Sequence, residues 1–301
     1  MAVHRKLLVT GANGFVAGSI LANASRGVEI HALSRSAPPA GIPGLPWHSQ
    51  DFRDAAGLSQ LFRQLKPDAV IHTAALADID FCQSNPAAAR EVNVEFTRRL
   101  AECCSESGSR LIFCSTDTVF DGEHAPYDES AAPGPVNLYA ETKVAAEGIV
   151  ASLGNQAVIA RLALVVGLPV LGAGNSFLAK MRLSFQENRT VAVPAREVRT
   201  PVDVITLGRA LLELATADHH GIFHLAGCER LSRFTMAQRI ARRFGYSEQL
   251  VVDQPPAPGR APRPRDVSLA NAKACATLKT PMRTFDEALD LILEVADRST
   301  K

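Results

Sequence analysis

Short apolar runs alternate with longer segments of helical periodicity between residues 6 and about 166. This alternation is typical of a parallel β-sheet that is covered by helices on both faces. The chain is therefore predicted to have an α/β fold. The apolar runs predict strands at residues 7–10, 29–33, 69–73, 110–115 and 157–165, and the segments between them predict helices at 14–25, 54–66, 86–107 and 137–153, with Asp54 as an N-cap.

The pattern is looser after about residue 166. The elements predicted there are a glycine-rich loop with Gly167, Gly172 and Gly174, helices at 176–186 and 202–217, and a strand at 222–225 that can rejoin the main sheet. Residues 255–265 cannot form a helix or a central strand, because six positions lack an amide donor or are unusually free in φ. Two interpretations of that run stay open: an ordered loop or flap over a site, and a surface linker.

The composition favours a small-molecule partner over a polyanion. The 301 residues include 32 Lys and Arg against 31 Asp and Glu, and 47% of them are hydrophobic. The net charge of +1 gives no field that would attract nucleic acid or an anionic membrane, so neither partner is expected. No stretch approaches the roughly 20 apolar residues that cross a bilayer, and we expect a cytoplasmic protein.

The six cysteines show neither CxxC spacing nor histidine-rich surroundings. We therefore expect no structural zinc site and no disulfide framework, and we assign no metal ligand. The cysteines are interpreted as free thiols that act as small apolar residues in a reducing cytosol. They are Cys82, Cys103, Cys104, Cys114, Cys228 and Cys275.

A glycine turn joins the first predicted strand to the first predicted helix. It contains Gly11 and Gly14, and the small Ala17 stands at the third position of a Gly-x-x-Gly-x-x-Gly spacing. A dinucleotide pyrophosphate placed here would meet free backbone amides and the positive end of the helix. The strand before it and the helix after it favour this interpretation over glycines that serve only the turn. The candidate cofactor-binding residues of the segment are Gly11, Asn13, Gly14, Phe15 and Val16.

The end of the second predicted strand indicates which dinucleotide binds. Ser34, Arg35 and Ser36 stand where an NAD site would usually carry an acid for the ribose hydroxyls. A guanidinium flanked by hydroxyls suits a 2′-phosphate, so NADP(H) is favoured over NAD(H), with Ser34 and Arg35 as contacts. An ordinary solvated arginine is the alternative. Asp51 and Phe52 are candidates for the edge and face of the adenine, and a helix cap with a core aromatic is the alternative for that pair.

Tyr139 and Lys143 are four residues apart in a predicted helix, so they share one face. A nearby ammonium favours the phenolate and is expected to lower the phenol pKa from about 10. We expect Tyr139 to protonate a carbonyl oxygen while hydride arrives at carbon, and Lys143 to hold the nicotinamide ribose as well. Residues 115–122 follow a predicted strand at its carboxyl end, where ligands of open parallel sheets bind, so a hydroxyl there can reach the same carbonyl.

Several segments together resemble one known family. They are the glycine turn, Thr73-Ala74-Ala75, Asn93 in the following helix, STDTVFDG at 115–122 and YAETK at 139–143. In this order they resemble an extended short-chain dehydrogenase/reductase, and within that superfamily most closely the dTDP-4-dehydrorhamnose reductase group. Thr118 stands where the group often has an aromatic residue. Segments 199–202 and 263–269 resemble later landmarks, so the similarity covers nearly the whole chain.

The resemblance implies a Rossmann-type doubly wound parallel sheet with a small discontinuous C-terminal substrate domain. The NADP-binding domain would comprise residues 1–166 and about 200–228, and the substrate domain about 167–199 and 229–301. The resemblance also implies a sugar or nucleotide-sugar ligand, and we expect a homodimer. The implied site residues are a triad of Thr116, Tyr139 and Lys143, with Thr73, Ala74 and Ala75 at the cofactor beside Tyr139 and Lys143.

Three arginines lie in segments that resemble the substrate domain: Arg199, Arg263 and Arg265. A planar guanidinium can hold the diphosphate of a sugar nucleotide with two parallel hydrogen bonds. The alternative, given equal weight, is that these arginines pair with acids such as Asp203 or Asp266 and fasten the small domain to the large one. The candidate substrate contacts are Thr116, Asp117, Arg199 and Arg263. Asn93 is interpreted as an architectural residue, a buried amide that bonds the backbone of a neighbouring strand.

The leading functional hypothesis is an NADP(H)-dependent reductase, or the reverse dehydrogenase, that acts on a sugar or nucleotide-sugar carbonyl. An NAD-dependent nucleotide-sugar epimerase uses the same triad and is one alternative. The absence of an acid at the ribose position disfavours it. The other alternative is a non-catalytic NADP-binding regulatory subunit that resembles the β subunit of methionine adenosyltransferase.

Overall fold

The computed structural model describes residues 5–23, 27–38, 44–171, 176–255 and 257–299. The strands are β1 (Arg5–Thr10), β2 (Val28–Ser34), β3 (Trp47–Ser49), β4 (Ala69–His72), β5 (Arg110–Thr116), β6 (Ala157–Leu162), β7 (Val165–Val166), β8 (Val191–Val193), β9 (Val198–Arg199), β10 (Val202–Asp203), β11 (Gly221–Leu225), β12 (Leu231–Ser232) and β13 (Val251–Asp253). The α-helices are α1 (Phe15–Ala22), α2 (Ala55–Leu65), α3 (Ile79–Ser84), α4 (Pro86–Arg90), α5 (Phe96–Ser107), α6 (Leu138–Ala151), α7 (Phe177–Gln186), α8 (Val204–Thr216), α9 (Arg233–Arg243), α10 (Ala272–Thr277) and α11 (Phe285–Ser299). Among the residues described, no helix has both the length and the apolar character that a membrane crossing requires.

Seven of these strands form one sheet in the order β11-β6-β5-β4-β1-β2-β3, and every neighbouring pair runs parallel. The chain winds outwards from β1 to β3 on one side and then crosses to β4, β5, β6 and β11 on the other. This is the doubly wound parallel sheet that the sequence predicts, so the fold prediction is confirmed. Ligands of such sheets bind outside the carboxyl ends of the strands where the order reverses, here β1 and β4.

The central strands are apolar on both faces. In β1, Leu7 and Val9 belong to one apolar cluster and Leu8 to another on the opposite face, and all three side chains are fully buried. A strand that is covered by helices on both sides requires such a continuous apolar run. Ile20 of α1 contributes to the first cluster and Leu100 of α5 to the second.

Most predicted elements form where the sequence places them, with small shifts at their ends. The Asp54 carboxylate caps α2 as predicted and accepts the Gly57 N–H at 2.9 Å. The strand predicted at 222–225 rejoins the main sheet as β11 and pairs with β6. The described part of 255–265 forms neither helix nor strand. The predicted positions Ser25, Gly172 and Gly174 lie outside the described residues.

The helix predicted for 86–107 is interrupted. A π-helical turn at Glu91–Glu95 separates α4 from α5. Inside this turn the Asn93 amide accepts the Leu76 N–H at 2.8 Å and donates to the Leu76 carbonyl at 3.0 Å and to the Thr142 hydroxyl at 3.0 Å. Asn93 is therefore an architectural residue, as predicted, but it bonds the segment after β4 rather than a strand. A tertiary contact of this kind explains why local periodicity did not reveal the break.

The strand predicted for 157–165 is also too long. β6 ends at Leu162, and β7 is a separate short strand that pairs with β10. The Leu164 carbonyl between them accepts the Val202 N–H at 3.0 Å, which directs the chain away from the main sheet.

A further apolar cluster lies among α7, α9, α11, β8 and β13. Its buried members include Met181, Phe185, Met236 and Phe285. Helix α10, by contrast, packs on β11, and its Ala274 belongs to a cluster of the main sheet. The division into an NADP-binding and a substrate domain stays a prediction.

One buried ion pair ties β5, α6 and β6 together. The side chains of Arg161 and Glu147 are 2% and 7% exposed, and Arg161 Nη2 lies 2.8 Å from Glu147 Oε2. Glu147 Oε1 accepts Arg161 Nε–H at 3.1 Å and the Ser115 hydroxyl at 2.5 Å. A buried carboxylate is tolerated when its oxygens find donors and a counter-charge. The pair thereby fixes the end of β5 relative to α6.

We expect Glu147→Gln to lower the free energy of unfolding by about 3–5 kcal/mol, because the Arg161 guanidinium is left buried without a counter-charge. The matched control is Glu95→Gln, since Glu95 pairs with Arg98 at 3.2 Å on the surface. The control should lose less than about 1 kcal/mol. Urea unfolding of the three proteins measures both effects, and a loss at Glu147 no larger than that of the control would contradict the assignment.

Candidate active site

A cavity of about 310 Å³ opens at the carboxyl ends of β1, β2 and β4. It gathers most of the predicted cofactor residues, although they come from four separate parts of the sequence. The predicted residues that line it are Gly11, Asn13, Gly14, Ser34, Arg35, Asp51, Phe52, Thr73, Ala74 and Ala75. Phe15 and Val16 do not line it: Phe15 packs against the cluster around α7 and α9, and Val16 against the main-sheet cluster.

The glycine turn at the floor of this cavity has no room for a side chain at Gly11. Gly11 has a φ of +68°, and a Cβ added there would lie 2.7 Å from the backbone N and Cα of Ala74. The Gly14 N–H donates to the Gly11 carbonyl at 2.7 Å, and among the described residues no side chain caps the N-terminus of α1. The first amides of α1 are therefore open to a phosphate.

A side-chain network fixes the loop that follows β2. Asn13 Nδ2 donates to the Ser36 hydroxyl at 3.0 Å and to the Ser34 hydroxyl at 3.3 Å. Ser34 donates to the Ser36 carbonyl at 2.5 Å, and Trp47 Nε1 donates to the Ser34 hydroxyl at 3.2 Å. Ser34 is thus engaged within the protein. The neighbouring Arg35 side chain is exposed at the mouth of the cavity.

Asp51 and Phe52 form the opposite wall. Asp51 pairs with Arg53, whose Nη2 lies 2.7 Å from Asp51 Oδ2, and this hydrogen bond lowers the pKa of Asp51 to about 2. Phe52 packs against Phe96 with ring centroids 5.9 Å apart, and the Arg35 guanidinium lies 6.0 Å from the Phe52 ring. The helix-cap alternative for Asp51 is wrong because Asp54 caps α2.

The structure brings Thr116, Tyr139 and Lys143 together. Thr116 ends β5, while Tyr139 and Lys143 lie one turn apart on α6, whose N-cap is Asn137. The Thr116 hydroxyl donates to Asp117 Oδ1 at 3.2 Å and lies 3.0 Å from the Thr118 hydroxyl, and it is near enough to the Tyr139 phenol to oppose the rise of its pKa. Lys143 Nζ donates to the Cys114 carbonyl at 2.7 Å.

The pKa expected for Tyr139 is wrong in direction. Burial raises the pKa of the Tyr139 phenol, and the nearby Thr116 hydroxyl only partly opposes it. The Lys143 ammonium donates to the Cys114 carbonyl of β5, and burial lowers its own pKa to about 8. The desolvation of the Tyr139 phenol, which raises its pKa, outweighs the attraction to Lys143 that their helical spacing suggested. The phenol therefore stays protonated at neutral pH.

Asp117 follows Thr116 and is buried. Burial raises its pKa to about 6, against the opposing charge of Arg199, whose Nε lies 3.8 Å from Asp117 Oδ2. Arg199 also donates to the Val198 carbonyl at 2.7 Å, and its Nη2 lies 3.8 Å from Glu197. Arg199 thus pairs with acids, as one interpretation predicted, but they are not Asp203 or Asp266.

The proline-rich strap, residues 257–265, is an ordered loop anchored on α3. Arg263 holds Asp80 with two hydrogen bonds of 2.8 Å, and Arg260 Nε donates to the same carboxylate at 2.9 Å. These contacts lower the pKa of Asp80. Asn137 Nδ2 donates to the Pro262 carbonyl at 3.0 Å, so the strap is also tied to the start of α6.

The acid partners expected for the late arginines are corrected accordingly. Asp203 accepts the Thr206 N–H at 2.7 Å and caps α8, and Asp266 pairs with Arg230. The carboxylates of Asp203 and Asp266 therefore already accept hydrogen bonds from other residues. Arg263 forms an ion pair with Asp80 instead. The Arg265 side chain is exposed.

A second cavity of about 470 Å³ lies between α7, β8 and the strap. Its charged lining consists of four cations and one acid: Lys180, Arg233, Arg260, Arg263 and Glu197. Arg233 stacks over Phe177 at 4.7 Å and pairs with Glu197 at 3.3 Å. The excess of guanidinium and ammonium groups suits an anionic ligand.

The comparisons with known proteins identify the family. The family model described as RmlD substrate binding domain matches residues 5–298. The chain belongs to this family. It is 33% identical over 304 residues to a dTDP-4-dehydrorhamnose reductase of Mycobacterium tuberculosis, covering 98% of this chain and 94% of that protein. It is 29% identical over 288 residues to the methionine adenosyltransferase 2 subunit beta of Bos taurus, covering 92% and 82%.

Solved structures show that the fold of this RmlD-family chain is shared. A dTDP-4-dehydrorhamnose reductase from Bacillus anthracis, solved in complex with NADP, has a TM-score of 0.84 at 23% identity and covers 96% of this chain and 98% of that chain. A UDP-glucose 4-epimerase from Thermotoga maritima, solved with UDP-glucose, has a TM-score of 0.84 at 21% identity and covers 98% and 100%. The resemblance inferred from the sequence is confirmed.

Several residues around the two cavities and the strap were not found from the sequence. Trp47 supports the Arg35 loop, Asp80 holds the strap, and Arg233 and Lys180 line the second cavity. Asp80 is separated from Arg263 by 183 residues, and no local pattern links them. Within the part of the chain that is described, no group of three or more His, Cys, Asp or Glu side chains could hold a metal ion.

The depressed pKa of Lys143 gives a testable pH dependence of stability. Burial lowers its pKa from the ordinary lysine value of 10.5 to about 8 in the folded chain. Between these values the unfolded state binds more protons than the folded state, so stability rises with pH in that window. Relative to Lys143→Met, the free energy of unfolding of the parent protein should rise by roughly 2–3 kcal/mol from about pH 7 to about pH 10.5. Urea unfolding at several pH values measures the difference, and parallel profiles would show that Lys143 is not desolvated.

Proposed function

We propose that the chain is an NADP(H)-dependent oxidoreductase that reduces a carbonyl of a sugar nucleotide or oxidises the corresponding hydroxyl. The observation that carries the proposal is the placement of Thr116, at the end of β5, beside Tyr139 and Lys143 of α6, on the edge of the sheet where the cavity opens. The identity to the dTDP-4-dehydrorhamnose reductase of Mycobacterium tuberculosis, 33% over nearly all of both chains, supports the same substrate class.

NADP(H) is the proposed cofactor, in preference to NAD(H). The residues present fit a dinucleotide, because Gly11 and Gly14 leave the cavity lining without side chains at these two positions and the first amides of α1 are uncapped. Arg35 offers the positive charge that a 2′-phosphate requires. The carboxylate of Asp51 in the lining is already held by Arg53. The similar Bacillus anthracis reductase was solved with NADP.

Tyr139 is proposed as the acid and base of the reaction. NADPH, when bound, supplies the hydride. The Tyr139 phenol is protonated at neutral pH and donates its proton to the substrate carbonyl oxygen. The Thr116 hydroxyl orients the phenol and can hydrogen-bond the same oxygen. Lys143 sits one turn away, where it is proposed to hold the nicotinamide ribose.

The second cavity is the proposed site of the substrate diphosphate. Arg233, Arg260 and Arg263 line it, and guanidinium groups bind phosphate oxygens with paired hydrogen bonds. Asp80 now occupies the fork of Arg263. Arg263 fastens the strap through Asp80 and also lines the cavity, so we propose it for both of the roles weighed from the sequence. Asp117 and Arg199 remain proposed substrate contacts through their position next to Thr116.

The proposal is tested with purified protein, NADPH and dTDP-4-dehydrorhamnose, by following the loss of NADPH absorbance. Turnover is expected for the parent protein. Tyr139→Phe keeps the ring and removes the proton donor, so turnover should fall by roughly a hundredfold or more. NADPH binding, followed by its fluorescence, should be retained in the variant.

Full activity of Tyr139→Phe would overturn the assigned acid. NADPH binding without turnover across a panel of dTDP- and UDP-sugars would instead favour a regulatory subunit. The 29% identity to the methionine adenosyltransferase 2 subunit beta of Bos taurus is the observation behind that second candidate. Interconversion of two sugar epimers with no net change of free cofactor would indicate an epimerase.

Arg35→Ala should weaken NADP binding by about 1–3 kcal/mol through the loss of charged hydrogen bonds to the 2′-phosphate. NAD binding should be almost unchanged, because its ribose has no phosphate at this position. Titration of each cofactor by calorimetry measures both affinities. Arg53→Ala is the control, since Arg53 lies on the same surface but pairs with Asp51. An equal loss for both cofactors would exclude Arg35 as the phosphate contact.

The homodimer and the cytoplasmic location predicted from the sequence belong to this proposal as well. They follow from the resemblance and the composition, and light scattering of the purified chain would measure the first. A sugar nucleotide is the proposed small-molecule partner, and neither nucleic acid nor a membrane is assigned.

A further inference from the structure

Two of the six cysteines differ from the rest. Cys228 and Cys275 are exposed, whereas the other four are buried: Cys82, Cys103, Cys104 and Cys114. Burial and the nearby Cys228 raise the pKa of the Cys275 thiol, so the two residues lie close together although 47 positions separate them in the sequence. Neither residue takes part in the site described above.

A third residue sets the geometry of the pair. Asn271, the N-cap of α10, donates through Nδ2 to the carbonyls of Ala226 at 2.9 Å and Gly227 at 3.0 Å, and this nitrogen lies 3.8 Å from Cys228 Sγ. Cys275 is four residues further along and donates its N–H to the Asn271 carbonyl at 3.0 Å. Residues four apart on a helix share a face, so Cys275 faces the same loop that Asn271 grips.

Cys228 and Cys275 flank an excursion of the chain, residues 229–274, which lies between β11 and the middle of α10. The chain leaves the main sheet just after β11, rejoins the apolar cluster of that sheet at Val267 and Leu269, and then enters α10, which packs on β11. The excursion contains α9, β13 and the strap. These elements supply Arg233, Arg260 and Arg263 to the second cavity.

We propose that Cys228 and Cys275 form a reversible disulfide that closes the base of this excursion. It is a modification site with a low-molecular-weight disulfide, such as oxidised glutathione, as the oxidant. Its effect on the second cavity rests on the proposed function, whereas the bond itself does not.

The reaction proceeds by two exchanges. The Cys228 thiolate attacks glutathione disulfide and displaces one glutathione thiolate, which leaves a mixed disulfide on Cys228. The Cys275 thiolate then attacks the Cys228 sulfur and displaces the second glutathione. Two electrons pass from the two protein thiols to glutathione disulfide, and the two protons end on the two glutathione molecules.

Closure of the excursion should stabilise the folded chain. A cross-link that joins residues far apart in sequence reduces the conformational entropy of the unfolded state. The melting temperature should rise by roughly 3–6 °C in the oxidised protein and return on treatment with dithiothreitol.

The experiment incubates the full, reduced chain with glutathione disulfide at mildly alkaline pH and without substrate. Non-reducing peptide mapping by mass spectrometry should find the peptide of Cys228 linked to that of Cys275, with loss of two free thiols per chain. Cys228→Ser and Cys275→Ser should each abolish the link and the rise in melting temperature. Cys103→Ser is the control and should keep both.

A chain that gains only glutathione adducts at Cys228 or Cys275, or links to another chain, would overturn the proposal. Retention of both free thiols would do the same. None of these outcomes depends on turnover, so a failure of the reductase assignment is recognised separately. A supporting result is extended by titrating the parent protein with sugar nucleotide in both redox states, where the oxidised form should show a changed affinity.

Discussion

The buried pair of Arg161 and Glu147 is the interaction on which the catalytic edge of the sheet depends. It joins β5, α6 and β6 with a charge and a counter-charge that have almost no contact with solvent. Ser115 adds a third bond to the same carboxylate. Thr116 follows Ser115 in β5, and Lys143 lies one turn before Glu147 on α6. The side chains proposed for catalysis are therefore positioned from behind, by a buried ion pair that joins the strand and the helix on which they lie.

Much of this arrangement can be read from the sequence, because it depends on local patterns and one rule of topology. Apolar runs give the strands, and the carboxyl ends of parallel strands meet at one edge. That rule alone brings Gly11, Arg35 and Thr73 to a single cavity, although they follow three different strands. Tyr139 and Lys143 needed only helical spacing.

The rest depends on contacts that no local pattern records. The bond between Asn93 and Leu76 breaks a helix whose periodicity is continuous. Arg263 could have paired with several acids, and only the folded chain brings Asp80 to it. The pKa of Tyr139 was misjudged because spacing on a helix gives proximity but not burial. The direction in which a side chain points and the extent to which it is shielded from water are set only when the chain is folded, so local sequence patterns do not show them.

The link from Asn13 to Ser34 and Ser36 has a consequence for protein engineering. Asn13 belongs to the glycine turn, where we propose that the pyrophosphate binds, whereas the two serines flank Arg35. The two ends of the cofactor cavity are thus mechanically coupled. A redesign of cofactor preference that replaces the whole loop around Arg35 would also release the turn beneath the pyrophosphate. Such a redesign has to keep both hydroxyls and change only the residue between them.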